Sequence, residues 1–475
     1  MMSARARFVL LVAAYMAAHV WLRVASSPTL DLDEAEQVVL SQCIRPGYGT
    51  QAPLFTWMQT CLIRVFGPTV FPLALLKSLL LAAIFAAAYG IAGHLFPEPR
   101  RAPAAASLFL LPYLVYQSLR DSSHSIILTL ASALSLWMIL RLAVRRDTAG
   151  YVGLGLCVAA GCLSKYNFAL FLIPAAVATL AVPGFRGIAF DPRILIAAAI
   201  ALALCAPHAL WLSGHFDAAT AESIEKLKAK DLSALRSLAK LAECLVRFSA
   251  VALAACTIAF PRIWLAASAD NPNPPSRWFA WFLGSGLAGL GTMMVATGAT
   301  DLSERWLLPL LFCLPIALYL RAEEPSSAAE RRFAWCIGIA AVAAPIALAA
   351  HIAFGPALGH PIRKSIDFSP IRAARDIGPP PRTILAQNLF LGGNLKRLYP
   401  RASVHVPGQF SPPGAIHGPT WIVWQSRSSG FRRAVAAVTG VPWDRLRPET
   451  MELPHLHAEG TNALRVSIAT LPQTP

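Results

Sequence analysis

The sequence has little charge and no cysteine pattern of a recognisable kind, and each shortage excludes a class of protein. Charged residues make up 14% of the 475 residues and hydrophobic residues 56%, whereas ordinary soluble proteins carry about 25% charged residues. This composition excludes a soluble globular chain. The nine cysteines show no spacing of metal ligands, and none follows Cys336, so the C-terminal region cannot depend on a disulfide of its own.

The charge that is present is strongly unbalanced. Lys and Arg number 41 against 25 acidic residues, a formal net charge of +16. Such an excess is typical of loops held against anionic lipid, or of proteins that meet acidic, phosphate-bearing substrates. No compact basic domain concentrates the charge, which disfavours nucleic acid as a partner. Cys157 and Cys162 lie in an apolar run and are predicted to pack as small hydrophobic residues.

Long apolar runs dominate the first three quarters of the chain. A membrane-spanning helix needs about 20 mostly apolar residues, and by this criterion we predict an α-helical polytopic membrane protein with about eleven spans. They are expected near 8–25, 71–96, 103–119, 124–142, 150–164, 166–183, 193–212, 244–263, 278–298, 305–320 and 333–354. The first run lacks a small-x-small cleavage site, so we interpret it as a retained helix rather than a signal peptide.

The distribution of arginine predicts an orientation. An odd number of spans puts the two termini on opposite sides of the membrane. Fourteen of the 33 arginines, from Arg5 and Arg7 to Arg331 and Arg332, then fall on the N-terminal side, which the positive-inside rule makes cytoplasmic. Lysines between 226 and 240 fall on the other side and weaken the bias.

Two regions are predicted to lie outside the membrane. A first outer loop over 26–70 would contain a short helix from Asp33 to about Cys43, a turn at 45–49 and an amphipathic helix in the membrane interface. The apolar stripe of that helix comprises Leu54, Trp57, Met58, Cys61, Leu62, Val65 and Phe66.

The composition changes after His360, where proline and charge rise. Short apolar runs predict strands at 383–386, 403–406, 421–424 and 463–468, with helices near 393–399 and 431–438. We therefore predict two domains, a membrane domain over 1–355 and a small extracytoplasmic α/β domain over 356–475.

The run Asp31-Leu32-Asp33-Glu34 directly follows the first span. Carboxylates are costly in hydrocarbon, so this segment is expected at the aqueous edge of the bilayer. Asp31 and Glu34 have the spacing of a helix capping box, which is a purely structural role. The capping box does not account for Asp33, which lies between them and can project into a cavity.

Further polar residues interrupt or border the spans. The stretch Arg120-Asp121-Ser122-Ser123-His124 is either a solvated turn or a charged cluster that faces the same outer cavity as Asp33. Lys165, at an outer boundary, either extends toward water or pairs with the phosphate of a lipid. Lys77 and Arg305 are similar candidates. His208 is either a packed core residue or a functional group.

Taken together, these segments resemble those of a known family of membrane enzymes. The first span, Asp33-Glu34, the run from Gly47 to Trp57, the polar stretch 120–124 and Leu163-Ser164-Lys165-Tyr166 occur in the order found in the GT-C glycosyltransferases. The sequence is similar to the branch that contains aminoarabinose transferases, protein O-mannosyltransferases and rhizobial galacturonosyltransferases that act on lipopolysaccharide. The likeness covers about residues 1–355 and is strongest up to residue 170.

The resemblance implies an activity. Enzymes of this kind transfer a sugar, with inversion, from a polyprenyl phosphate to an acceptor at the outer face of the membrane. The expected acceptor is lipopolysaccharide, lipid A or another envelope glycan, and the expected location is the bacterial inner membrane, with the active site and the C-terminal domain on the periplasmic side. The partners are the lipid-linked donor, the acceptor and membrane lipids.

The resemblance also implies site residues. Asp33 would deprotonate or orient the acceptor, with Glu34 in support and Asp121 or His124 lining the same cavity. The donor phosphate would be held by four cationic residues, namely Lys165, Arg305, Lys77 and Arg120. The substrate pocket would comprise His124, Tyr48, Gln51, Tyr166 and His208.

The chemistry agrees with this set of residue types. An inverting transfer needs one base at the acceptor and positive charge at the leaving phosphate. No metal ligand is assigned, and dependence on a divalent ion is left open. Where aminoarabinose transferases carry Glu-Lys-Pro, this chain has Gln51-Ala52-Pro53, which disfavours aminoarabinose transfer to lipid A.

Three alternatives stand beside this prediction. The acceptor could be a protein. A transporter or flippase of lipid-linked sugars would also be polytopic and basic, but predicts charges near the bilayer midplane and repeated halves, and we find no internal repeat. A noncatalytic scaffold for envelope assembly would keep its function without the Asp33 carboxylate.

Overall fold

The computed structural model describes residues 3–117, 120, 123–217, 219, 234–264, 273–299, 302–322, 325–355, 357–359, 362–373, 378–414, 416–426, 428–456 and 464–471. Within these ranges the chain is mainly helical. The helices are α1 (Ala4–Ser26), α2 (Leu32–Leu40), α3 (Leu54–Phe66), α4 (Val70–Leu95), α5 (Glu98–Ala106), α6 (Ser123–Val144), α7 (Thr148–Ser164), α8 (Ala169–Ala181), α9 (Pro183–Ala189), α10 (Ile194–Ser213), α11 (Ala234–Ala259), α12 (Pro274–Thr297), α13 (Leu308–Leu311), α14 (Leu314–Leu320), α15 (Ser327–Phe354), α16 (Ser369–Ala373), α17 (Leu389–Leu398) and α18 (Ser429–Thr439).

Seven helices of the described part of the chain are long and apolar enough to cross a membrane, namely α1, α4, α6, α10, α11, α12 and α15. An eighth candidate is bent by 117° between α8 and α9, where Pro183 begins the second helix and cannot continue the first. Two shorter apolar stretches lie at two more of the predicted spans. They are α7 and the stretch Leu308–Leu320, which comprises α13 and α14. The protein is therefore an α-helical polytopic membrane protein, as predicted.

The predicted span at 103–119 is not one continuous helix. Helix α5 ends at Ala106, a 3-10 turn covers Ser107–Leu110, and a π turn covers Tyr113–Gln117. Pro112 separates the two turns, and its missing N–H breaks the helical hydrogen-bond ladder. Hydropathy alone did not indicate this interruption.

Helix α3 presents its apolar side outward. Its buried residues include the polar Gln59 and Thr60, whereas Val65 is 73% exposed. A soluble protein would bury the opposite side. This exposure agrees with the prediction of a helix in the membrane interface.

Contacts between Cα atoms divide the chain into two compact units. One comprises residues 1–17, 49–54 and 79–345, and the other comprises residues 18–48, 55–78 and 346–475. The second unit therefore contains most of the first outer loop together with the C-terminal sheet. The sequence-based domain boundary at residue 355 stays a prediction.

The sheet of the second unit has the order β2-β1-β3-β5-β4 among the described residues. Its strands are β1 (Thr383–Ala386), β2 (Ser403–His405), β3 (Thr420–Trp424), β4 (Glu449–Leu453) and β5 (Leu464–Thr470). Strands β2, β1 and β3 are parallel, and β5 and β4 continue the sheet in the antiparallel sense. Helix α17 connects β1 to β2 and packs on both, which gives the α/β unit predicted from the sequence.

Helix α2 lies in the segment 27–43, which carries Asp31, Asp33 and Glu34 and is called the acidic loop below, and it packs directly on α17 within the second unit. The crossing occurs at Gly393, where a Cβ atom would lie within 3.0 Å of the backbone of Ala35. Only a residue without a side chain allows this approach. The position of the acidic loop therefore depends on a glycine that lies some 360 residues further along the chain.

We expect Gly393→Ala to lower the free energy of unfolding by about 1–3 kcal/mol, the usual cost of overpacking. Alanine favours helices over glycine by about 0.5–1 kcal/mol, so the clash outweighs this gain. Thermal unfolding in detergent measures the effect. Gly430→Ala is the matched control, because a Cβ there meets only Ser428 Oγ at 3.9 Å. Equal unfolding temperatures for the two variants would contradict the close crossing.

Candidate active site

Helix α2, in the acidic loop, begins with a complete capping box. Asp31 is the N-cap, its side chain accepts from the first-turn backbone, and Glu34 Oε2 accepts from the Asp31 backbone N–H at 3.0 Å. The structural role that the spacing allowed for these two residues is therefore present. Asp33 lies between them on the same turn and is half-buried. The capping box makes this turn rigid, so the backbone that carries Asp33 is fixed.

Glu34 is also the centre of a buried ion cluster, which we define as Arg23, Asp31, Glu34, Lys77 and Lys364. The guanidinium of Arg23 binds both carboxylate oxygens of Glu34, at 3.0 Å and 2.6 Å. Lys77 Nζ lies 3.7 Å from Glu34 Oε1, and Lys364 Nζ lies 4.0 Å from the same atom and 3.7 Å from Asp31 Oδ2. Three cations therefore surround two carboxylates.

The cluster is almost completely shielded from solvent. The side chains of Arg23 and Glu34 are 2% and 1% exposed, and those of Lys77 and Lys364 are 2% and 1% exposed. Removing such charges from water costs several kcal/mol per ion, which only close pairing and hydrogen bonds offset. The Arg23 guanidinium meets this requirement, because it also donates to the backbone oxygens of Ser27 and Thr29.

The cluster keeps Glu34 ionised. Burial alone would raise the pKa of the Glu34 carboxyl, but the charges of Arg23, Lys364 and Lys77 and the hydrogen bonds from Arg23 together hold that pKa well below its usual value. Burial also lowers the pKa of Lys364, although Glu34 and Asp31 act in the opposite direction. Glu34 is thus ionised near neutral pH and anchors the loop as an anion.

C-terminal residues hold the segment before α2. Asn394 of α17 accepts a hydrogen bond from Leu30 N at 2.9 Å and donates to Leu30 O at 3.2 Å. Thr29 Oγ1 donates to the carbonyl of Ile366 at 2.6 Å. These bonds satisfy backbone groups that would otherwise be buried without partners.

The segment after α2 is held in the same way. The side-chain amide of Gln42 donates to Val404 O and accepts from Val404 N, both at 2.9 Å. Val404 lies in β2, the edge strand of the sheet, so Gln42 pairs with the outer side of the strand as a neighbouring strand would. Both ends of the acidic loop are therefore tied to the C-terminal part of the second unit, the first to α17 and Ile366 and the second to β2.

Tyr48 stabilises the turn that follows the acidic loop. Its hydroxyl donates to Cys43 O at 2.9 Å and accepts from Arg45 N at 3.0 Å. Trp57 Nε1 donates to Arg45 O at 2.8 Å, which joins the turn to α3. The observed contacts of Tyr48 are thus within the turn, and its predicted place in the substrate pocket stays a prediction.

The first unit contains the polar residues predicted near 165 and 208. Lys165 Nζ donates to Ser125 Oγ at 3.1 Å. Tyr166 stacks on His208 with ring centroids 5.9 Å apart, and His208 stacks on Trp211 at 5.8 Å. His208 is therefore a packed residue of α10 beside Tyr166, and the place of both in a substrate pocket stays a prediction.

The remaining predicted residues are placed as follows. Arg305 is half-buried and donates to Ser303 Oγ at 3.1 Å. His124 is buried in α6, while Gln51 and Arg120 are half-buried. Asp121 lies outside the described residues. Within the described ranges no group of three or more His, Cys, Asp and Glu side chains could hold a metal ion.

Sequence reasoning missed two members of the ion cluster. Arg23 was visible as a cation in the last turn of the first span, three residues before that helix ends, where a charge needs a partner. Lys364 gave no local signal, because its partners precede it by more than 300 residues. Lys77 was predicted to bind the donor phosphate, and the structure pairs it with Glu34 instead of leaving it unpaired.

The fold and this site define a class of protein. It is a polytopic membrane protein in which an acidic loop outside the spans is fixed by buried cations and by a small α/β unit. Part of the chain, residues 50–211, matches the family model described as dolichyl-phosphate-mannose-protein mannosyltransferase.

Two relatives that are similar over about nine tenths of the chain identify the family. The lipopolysaccharide core galacturonosyltransferase RgtA of Rhizobium johnstonii is 32% identical over 452 residues, which cover 91% of this chain and 88% of RgtA. The galacturonosyltransferase RgtB of the same organism is 31% identical, over 87% of this chain and 86% of RgtB. The chain therefore belongs to the family of GT-C membrane glycosyltransferases that includes these proteins.

Solved structures agree on the fold. The crystal structure of ArnT from Cupriavidus metallidurans bound to undecaprenyl phosphate superposes with a TM-score of 0.65, covering 98% of both chains at 11% identity. Its apo form gives a TM-score of 0.62 at 12% identity. At this identity the likeness concerns the fold alone.

Proposed function

We propose that this protein transfers a sugar from a polyprenyl phosphate to the core of lipopolysaccharide, and that the sugar is galacturonic acid. The observation that carries the proposal is similarity over about nine tenths of the chain to two galacturonosyltransferases that are named for this acceptor. The fold shared with a protein that binds undecaprenyl phosphate supports a lipid-phosphate donor. The departure at Gln51-Ala52-Pro53 also favours this branch over aminoarabinose transfer.

In the proposed reaction Asp33 is the general base. Its carboxylate takes the proton of an acceptor hydroxyl, the hydroxyl oxygen forms a bond to the anomeric carbon, and the bond from that carbon to the phosphate oxygen breaks. The carrier leaves as polyprenyl phosphate, and the configuration at the anomeric carbon inverts. A phosphate leaving group is already a weak base, so no general acid is needed.

Positive charge is needed where the carrier phosphate departs. Lys165 and Arg305 are assigned to this role because each is a half-buried cation at the border of an apolar helix. Lysine and arginine both pair with phosphate oxygens, lysine as a point charge and arginine as a fork. Arg120 and Lys77 are weaker candidates, since Lys77 already pairs with Glu34.

The distribution of arginine supports a location for the protein and for its acidic loop. The arginine bias puts the N-terminus in the cytoplasm, and the acidic loop, which follows the first span, then lies on the opposite face. We therefore assign the protein to the bacterial inner membrane, with the acidic loop and the C-terminal sheet on the periplasmic side.

A protein acceptor is the second candidate. It is favoured by one observation, the match of residues 50–211 to a family described by mannosyl transfer to protein. That match covers the shorter part of the chain, whereas the similarity to RgtA extends over nearly all of it.

The test is a transfer assay with the full chain in lipid vesicles. We expect polyprenyl-phosphate galacturonate and a lipopolysaccharide that lacks core galacturonic acid to yield a modified core, detected by mass spectrometry, together with released polyprenyl phosphate. Polyprenyl-phosphate mannose should support little transfer. Modification of an unstructured Ser/Thr peptide in place of lipopolysaccharide would favour the second candidate, and no transfer to either acceptor would refute both.

A further inference from the structure

The cation that completes the ion cluster comes from the C-terminal part of the second unit, residues 346–475. Lys364 has an ammonium group 3.7 Å from Asp31 Oδ2 and 4.0 Å from Glu34 Oε1. Arg23 and Lys77 belong to the first two long helices and would neutralise two carboxylates by themselves. The balance of charge alone therefore does not require Lys364, and its presence needs another explanation.

Backbone contacts at the same residue point to that explanation. Ser27 Oγ donates a hydrogen bond to the carbonyl of Lys364. Ser27 and Asp31 flank the segment that leads into α2, so Lys364 holds this segment at both of its ends, by its carbonyl at one and by its ammonium group at the other. The following residue, Ser365, contacts His455 at 2.9 Å, which connects the same stretch to the far side of the sheet.

In the sequence, Asp33 lies between the two carboxylates that Lys364 contacts. Asp31, before it, is an ion partner of Lys364, and Glu34, after it, is a second one. A shift of Lys364 would move both neighbours of Asp33. Reacting groups must be placed to within about half an ångström, and a displacement of about 1 Å can reduce a rate roughly 100-fold.

We propose that Lys364 is a positioning residue for the transfer reaction: it holds the first turn of α2 through Asp31 and Glu34 and so sets the direction of the Asp33 carboxylate. This inference rests on the proposed function, because it takes Asp33 as the base. Through this one buried side chain, the C-terminal part of the second unit would contribute to catalysis.

The test compares Lys364→Met with Lys364→Arg in the vesicle assay. Methionine has a similar length and no charge, and Arg23 and Lys77 still balance the two carboxylates in this variant. We expect kcat to fall roughly 10- to 100-fold, with the KM for the lipid-linked donor unchanged, because the base is misplaced while the donor site is intact. We expect Lys364→Arg to recover most of the rate, since arginine keeps the charge.

Lys396→Met is the matched control. Lys396 lies in α17 of the same unit, is half-buried and donates to Ala402 O at 2.7 Å, so it tests the loss of a lysine whose hydrogen bond stays within the C-terminal residues. Its kcat should equal that of the unsubstituted protein. Amide hydrogen exchange in residues 27–43 supplies a readout besides activity, and we expect faster exchange in Lys364→Met only.

Several outcomes would overturn the proposal. A normal kcat in Lys364→Met would do so, and a raised donor KM with normal kcat would make Lys364 a ligand of the donor instead. Lys364→Gln is prepared in parallel, and if neither variant folds, Lys364 is a residue of stability and the proposal fails. The proposed function fails separately, when the unsubstituted protein transfers no sugar. If Asp33→Asn is inactive and Lys364→Met is fully active, the proposed function stands and only the role of Lys364 is refuted.

Discussion

Asp33→Asn is expected to lower the rate of sugar transfer by about 100- to 10,000-fold, the usual contribution of a general base. Asparagine has nearly the same shape as aspartate, so the turn at the start of α2 keeps its geometry. The substitution removes the negative charge and the proton acceptor. Initial rates with saturating lipid-linked donor in vesicles measure the effect.

The control for Asp33→Asn is Glu452→Gln. Glu452 lies in β4 and pairs on the surface with Arg465 at 3.0 Å, where both side chains are more than half exposed. The substitution therefore removes a carboxylate of the same unit that lies on the surface and is paired with Arg465. The transfer rate of this variant should be normal. Wild-type rates for Asp33→Asn would refute the assignment of the base and favour a scaffold.

Glu34→Gln is expected to lower the free energy of unfolding by about 3–5 kcal/mol, the cost of leaving buried charge without its partner. Glutamine at this position still completes a capping box, so the substitution isolates the charge. Arg23, Lys77 and Lys364 would then share one carboxylate, that of Asp31. Thermal unfolding in detergent measures the loss.

The loss in Glu34→Gln should depend on pH, and its sign follows from the pKa. The folded pKa of the Glu34 carboxyl lies well below its usual value, whereas in the unfolded chain it is about 4.3. The charge of Glu34 therefore stabilises the fold fully above that value, and this contribution disappears as the pH falls through the folded pKa. The difference in unfolding temperature between wild type and variant should be constant above about pH 5 and shrink in stronger acid.

Glu452→Gln again supplies the comparison for stability, because surface ion pairs contribute little. It should unfold at the wild-type temperature over the same pH range. If Glu34→Gln also unfolds at the wild-type temperature near neutral pH, the ion cluster does not stabilise the acidic loop as argued.

Local patterns were sufficient for much of the fold. The apolar runs predicted most of the spanning helices, and short β-branched and aromatic runs predicted β1, β2, β3 and β5 close to their observed bounds. Strand β4 was missed, because Glu449-Thr450-Met451-Glu452-Leu453 lies at the sheet edge, exposes most of its residues and carries two acids. Its pairing with β5 outweighs its weak intrinsic preference.

The candidate site divides in the same way. The capping box of Asp31 and Glu34 depends on residues three apart and was visible in the sequence. The partners of Glu34 lie 11, 43 and 330 residues away along the chain. No local sequence pattern indicates that these residues are partners of Glu34. The pairing of Lys77 with Glu34 could therefore not be predicted from the sequence, which assigned Lys77 to the donor phosphate.

The sequence by itself determined that this protein crosses the membrane many times, that its acidic loop follows the first span, and that a small α/β unit lies after residue 355. Hydropathy and helix capping are properties of neighbouring residues, so they can be read without a structure. Only the tertiary structure decided that the loop is anchored by Arg23, Lys77 and Lys364 and packed against Gly393. Buried charges find partners in space, and distance along the chain carries no information about which partners those are.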